Sequence, residues 1–231
     1  MPSFSGMVSK LALTLLVTGG ALSAAASPKD LSTYRHFRLG SSLATVATMV
    51  GANPSEAKVI HLRPALIQQL NWRPQPLGAS SQTESVQEVV FSFYDGVLFQ
   101  IAINYDRYET EGMTADDFIE AISATYGTAE RPTLPVNSTQ EQYGDQEEVV
   151  ARWQDSQYSF ELTRSSYDRS FKMIGVLKRL KAPVQTAINE AKRLDDQEAP
   201  QRDAARKADE KEAERAKLEK ARLLNKPKFR Q

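Results

Sequence analysis

The stretch Val89-Val90-Phe91-Ser92-Phe93-Tyr94-Asp95-Gly96-Val97-Leu98-Phe99-Gln100-Ile101-Ala102-Ile103-Asn104-Tyr105 reads as two β-strands joined by a two-residue turn. Asp-Gly tolerates the positive φ angles of a type I′ turn, so Asp95 and Gly96 can reverse the chain by themselves. That register sets Tyr94 against Val97, Ser92 against Phe99 and Val90 against Ile101, with Phe91, Phe93, Leu98 and Ala102 pointing the other way. Both faces then carry apolar groups, as expected of a sheet covered by helices on one face and partly covered on the other.

The same pattern recurs outward from this hairpin. Upstream, Leu43, Val46, Ala47 and Val50 repeat at helical spacing, with Ser41 or Ser42 to cap the start and Gly51 to stop it. Ala57 to Leu62 reads as a strand, Pro64 to Leu70 as a possible helical turn, and Trp72 to Thr83 as a loop. Downstream, Thr114 caps a helix to Tyr126 whose Phe118, Ile119, Ile122 and Tyr126 form one apolar stripe. A second hairpin, Glu148–Gln154 and Gln157–Arg164, turns at Asp155-Ser156, pairing Trp153 with Tyr158, Ala151 with Phe160 and Val149 with Leu162. Ser170 to Lys178 is the last strand.

The order helix, strands, helix, strands predicts an α+β fold of short helices on antiparallel sheet, arranged as tandem helix-plus-hairpin units. The boundaries read as a signal peptide over 1–26, a first unit over 27–111, a second over 112–180 and a charged helical tail over 181–231. In the leader, Lys10 precedes the apolar run Leu11 to Leu22, and Ala24-Ala25-Ala26 supplies the small residues of a cleavage site. Gly19, Gly20 and Ser23 break that run below the length of a bilayer span. The expected location is the periplasm or the outside of the cell, with no transmembrane span left after cleavage.

Lys+Arg and Asp+Glu balance at 29 each, but unevenly: residues 181–231 hold 14 basic against 10 acidic groups, and residues 1–180 hold 15 against 19. An acidic body argues against nucleic acid as partner, since phosphate contact needs a basic footprint. Cysteine is absent, which excludes disulfides, thiol catalysis and cysteine-ligated zinc. The tail has a short docking seam at Val184, Ile188 and Ala191, then a solvated run of Ala, Glu, Lys and Arg beyond Pro200. Opposite charges three or four apart, such as Asp203 with Lys207 and Glu219 with Arg222, support a helix there. Without sustained Leu or Ile at coiled-coil core positions, a single helix is expected rather than a self-paired coiled coil.

No constellation demands a reaction. His36 and His61 lack metal-ligand spacing, the acidic run Glu109, Glu111, Asp116, Asp117 lacks the calcium-loop pattern, and no phosphate-cradling glycine loop occurs. No catalytic, metal or cofactor residues are therefore assigned, and no cofactor is expected. Arg63, Trp72 and Arg73, together with Tyr105 and Tyr108, are the candidate partner-binding residues, because Trp, Tyr and Arg dominate binding hot spots. Trp72 can equally be a lid on the core with an Arg stacked on it. Asn137-Ser138-Thr139 is a glycosylation sequon, and the basic run Lys226 to Arg230 can touch acidic surfaces weakly.

Gly40-Ser41-Ser42, Val46, Val50-Gly51 and Pro54, followed by Phe91 to Leu98 and Ile101, resemble the SmpA/OmlA family of small bacterial envelope proteins. Gly112-Met113-Thr114, Ile122 and Tyr126-Gly127 look like a second copy of that opening. The resemblance implies helical segments on a small antiparallel sheet, doubled as in the related β-lactamase inhibitor proteins, and a module that binds other envelope proteins without catalysis. The alternative expectation is an envelope hydrolase or small-ligand carrier whose polar groups converge only in three dimensions.

Overall fold

A computed structural model of the protein describes residues 29–74, 85–132 and 147–229. The expected leader, the sequon at Asn137 and most of the loop after Trp72 lie outside these residues. In chain order the elements are β1 (Thr33–Tyr34), β2 (Phe37–Arg38), α1 (Leu43–Val50), β3 (Lys58–His61), β4 (Ile67–Trp72), β5 (Val86–Tyr94) and β6 (Val97–Tyr105). These are followed by α2 (Ala115–Tyr126), β7 (Glu147–Gln154), β8 (Tyr158–Ser165), β9 (Phe171–Leu177) and α3 (Lys178–Asn225). The fold is α+β: β3 to β9 form one antiparallel sheet in the order β3-β4-β5-β6-β9-β8-β7, with β1 and β2 a separate small hairpin.

Local chemistry explains most elements. Ser42 caps α1, accepting from the Thr45 N–H, and Gly51 at φ 71° ends it. Thr114 and Asp117 form a reciprocal capping box on α2. Asp95 and Gly96 both take positive φ, 47° and 78°, and Tyr94 faces Val97 as the Asp-Gly turn requires.

Beyond that turn the expected register is corrected. Ser92 pairs with Gln100 and Val90 with Ala102, because the register shifts between Ser92 and Phe93. The extra residue puts Leu98 and Ile101 on one face and lets Phe99 cross to the other, where it joins Ile67, Val184 and Ala187. The second hairpin is also longer in the turn than expected: Gln154 pairs with Ser159, Trp153 with Phe160 and Ala151 with Leu162. Asp155 holds that turn by accepting from the Gln157 and Tyr158 N–H groups. Pro64 to Leu70 is not helical; it leads into β4, which pairs along its length with β5.

One face of the sheet carries the main core, where Phe91, Phe93, Leu98, Ile101, Ile103, Trp153, Phe160 and Leu162 are fully or almost fully buried under α1 and α2. Residues of both helix-plus-strand segments meet in this one core, and β6 pairs directly with β9. The first turns of α3 cover part of the opposite face through Val184, Ala187 and Ile188. The rest of that face is a half-exposed row of Gln100, Ile174, Val176, Glu161 and Arg152, with Arg152 Nε 2.9 Å from Glu161.

The tail helix is one 48-residue element, roughly 70 Å long at 1.5 Å per residue. It begins before Pro183 and continues through Pro200. Proline removes a backbone donor and displaces nearby carbonyls. Pro200 leaves the Asp196 carbonyl without its usual donor, and on the adjacent residue the Asp195 carbonyl accepts from the Arg202 guanidinium at 2.9 Å. Among the described residues no helix is long and apolar enough to cross a membrane.

Candidate functional site

At one end of the sheet two loops come side by side: residues 106–114 between β6 and α2, and residues 166–170 between β8 and β9. Each is locked by its own short polar side chains. Asp106 Oδ1 accepts from the Tyr108 and Glu109 N–H groups, and the Thr110 hydroxyl donates to the Asp106 carbonyl at 2.6 Å. Ser165 Oγ accepts from the Tyr167 and Asp168 N–H groups, while Asp168 Oδ1 accepts from the Ser170 N–H and hydroxyl. Such side-chain turns fix a loop without secondary structure. Arg169 is thereby held at φ 58°, a left-handed conformation uncommon for a bulky residue.

What these turns present is exposed tyrosine and arginine side chains: Arg107 and Tyr108 on the first loop, Tyr167 and Arg169 on the second. Tyr108 is 74% exposed and Tyr167 90% exposed. The Arg107 guanidinium lies 5.2 Å from the Tyr108 ring centroid. Together the two loops form a ridge that borders two hollows of about 330 and 600 Å³, both lined by Arg107, Tyr108, Asp168, Ser170 and Phe171. The smaller opens among Gln87, Asn104, Glu147, Thr163 and Lys172; the larger among Gly112, Met113, Thr114, Arg164 and Arg169.

The charges around the hollows are mostly engaged. Lys172 Nζ lies 2.6 Å from Glu147, which also accepts from the Thr163 hydroxyl, and Arg164 lies 3.1 Å from Glu148. Hydrogen bonds from Ser170, and then from Ser165, hold the Asp168 carboxyl down to about 2, with Arg107 adding a smaller electrostatic pull. A depressed folded-state value means that Asp168 contributes stability above its ordinary value of 3.8 and loses it as pH falls towards 2. The thermal midpoint of the wild type is therefore expected to drop more between pH 5 and 2 than that of Asp168→Asn. Parallel curves would show that the carboxylate does not hold the loop.

Of the five sequence candidates, Tyr105 and Tyr108 border the smaller hollow, and Arg63, Trp72 and Arg73 lie outside both. Tyr105 packs edge-on against Phe118 at 5.0 Å, and desolvation raises its phenol well above the ordinary value. Trp72 is half-buried and stands edge-on to Phe37 at 5.4 Å, closing the core. Arg73 pairs with Glu88, and Arg63 with Glu198 of α3, so both are strapped to the body. His36 tilts against Phe37, His61 sits in β3, and neither borders either hollow. Among the described residues no cluster of His, Asp and Glu is arranged to hold a metal ion.

Sequence reasoning does not single out Arg107, Tyr167 and Arg169. Their signal is present in Ser165-Ser166-Tyr167-Asp168-Arg169-Ser170, a turn-forming frame around two hot-spot residue types. Its juxtaposition with Asp106-Arg107-Tyr108 depends on β9 pairing with both β6 and β8. Comparison of the chain with protein-family models, curated proteins and solved structures finds no match.

Proposed function

We propose that this chain is an exported, non-enzymatic protein-binding module of the bacterial envelope, and that the two-loop ridge is its contact surface. The compartment rests on the leader-like residues 1–26 and on the resemblance to SmpA/OmlA proteins. The observation that carries the binding reading is the presentation, on two loops locked by their own side chains, of exposed Tyr108 with Arg107 over its ring and of exposed Tyr167 and Arg169. Holding large side chains in place before contact lowers the entropy lost on binding. Tyr and Arg then supply broad contact area with polar ends suited to a protein surface.

Four of the carboxylates near the ridge support this reading over chemistry, whereas Glu111, which borders the larger hollow, has no such partner among the described residues. Asp106 and Asp168 are occupied as turn acceptors, Glu147 and Glu148 by cations, and a general acid or base needs a group aimed at substrate instead. Crosslinking from intact envelopes, with a photoreactive side chain at position 167, tests the proposal. A specific adduct is expected, and Tyr108→Ala with Arg169→Ala should weaken the isolated complex at least tenfold while leaving the unfolding midpoint unchanged. An adduct equally strong from position 158, at the far end of β8, would refute the assignment.

A second reading, small-ligand carriage, draws on the larger hollow, whose volume of about 600 Å³ falls in the usual range for ligand sites. Native mass spectrometry of protein purified from its own envelope separates the two. A retained small molecule lost on Arg169→Ala would favour carriage.

A further inference from the structure

We infer that the distal segment of α3 and the short 3-10 turn after it, residues 215–229, form a docking element for an anionic lipid surface. Among the described residues the body holds α3 through buried residues from Val184 to Ala191 and through the Arg63–Glu198 pair. From Gln201 to Lys228 every residue is exposed. The 27 residues from Ala199 to Asn225 reach about 40 Å beyond that last strap.

Charge divides this rod into two parts. Residues 200–214 hold four basic and five acidic groups, whereas residues 215–229 hold six basic groups and only Glu219. Arg206 pairs with Asp203 and Glu210 in the first part, and in the second only Arg222 has an acid partner. Among the described residues Arg215, Lys217, Lys220 and Lys226 have none. Helix stability does not need such an excess, because like charges on neighbouring turns repel.

Leucines occur where the cations concentrate. Leu218, Leu223 and Leu224 are 62%, 61% and 63% exposed, and α3 has no other strongly exposed large apolar residue. A polyanion that reads charge alone gives these side chains no partner. At about 100° per residue Leu223 and Leu224 flank Lys220 on one side of the helix, with Lys217 next to Leu224 and Leu218 on the other side. A membrane interface gives that side headgroup phosphates for its lysines and the acyl boundary for its two leucines. The balanced segment before them acts as a spacer. This inference is independent of the two-loop ridge.

Co-sedimentation of the purified protein with vesicles tests it, using phosphatidylcholine alone or with 30% phosphatidylglycerol. Binding is expected only to the anionic vesicles and should be lost in high salt. Each basic residue at such a surface is worth about a fivefold change in affinity, so Lys217→Gln, Lys220→Gln and Lys226→Gln together should weaken binding about a hundredfold. The same three-charge loss at Lys192, Lys207 and Lys211 should have little effect, with circular dichroism confirming that the helix persists in both variants. Leu223→Ser with Leu224→Ser should also weaken vesicle binding several-fold. Equal loss in the two lysine triples, or unchanged binding in the leucine variant, would overturn the assignment.

Discussion

Replacing Trp153 with alanine is expected to destabilise the protein by about 4 kcal/mol, a large fraction of the roughly 5–15 kcal/mol that holds a domain together. Trp153 is 1% exposed and sits in β7, the last strand in the order of the sheet. Its indole N–H is shared between the Gly127 carbonyl at 3.0 Å and the Ser123 hydroxyl at 3.2 Å. The side chain therefore fills the core and also ties β7 to the end of α2. Trp153→Phe separates the two roles: it keeps most of the volume and removes the donor, and should cost roughly 1–2 kcal/mol. Urea unfolding followed by far-ultraviolet circular dichroism measures both. Equal losses in the two variants would mean that the hydrogen bond, and not packing, holds this side of the core.

Gly175→Ala is the second large effect, expected at about 3 kcal/mol, from crowding in place of a cavity. Gly175 lies in β9 between Ile101 of β6 and Phe160 of β8. A β-carbon there would stand 2.3 Å from Phe160 Cε1, 2.8 Å from Cζ and 2.9 Å from Cδ1. The ring has little freedom to retreat, because it is fully buried and stacked on Tyr126 with centroids 4.6 Å apart. Phe160→Leu should relieve the clash, so the double variant should be more stable than the two single losses added together, by about 1–2 kcal/mol. A loss below about 1 kcal/mol for Gly175→Ala would show that the Phe160–Tyr126 stack shifts freely. The same strand joins the two halves of the sheet and positions the 166–170 loop, so a distortion of β9 should also weaken partner binding.

Elements set by neighbouring residues are legible in the amino-acid order alone. The Asp95-Gly96 turn, the caps at Ser42 and Thr114, the stripe on α2 and the docking seam of α3 each follow from side chains within a few positions of one another. Register is less legible, because a bulge trades one backbone pairing for better burial of side chains and leaves no local mark. Phe99 shows the cost of missing it: straight alternation fixes its cross-strand partner as Ser92, whereas the structure pairs Ser92 with Gln100. β4 escapes a local reading for a related reason. Ile67-Gln68-Gln69-Leu70 spaces its apolar residues for a helical turn, but pairing with β5 draws it into the sheet.

The candidate site divides in the same way. Sequence picks out Tyr108 by residue type, along with Trp72 and Tyr105, which the structure seats against Phe37 and Phe118. By itself the sequence determined the α+β class, the acidic body, the charged tail and the absence of thiol chemistry, since these follow from composition and short-range periodicity. Only the tertiary structure decided that β6 meets β9, and that residues 61 positions apart, Arg107 and Asp168, border the same two hollows. The physical reason is that strand pairing is chosen by burial summed over the whole core, a sum that no single segment of the chain contains.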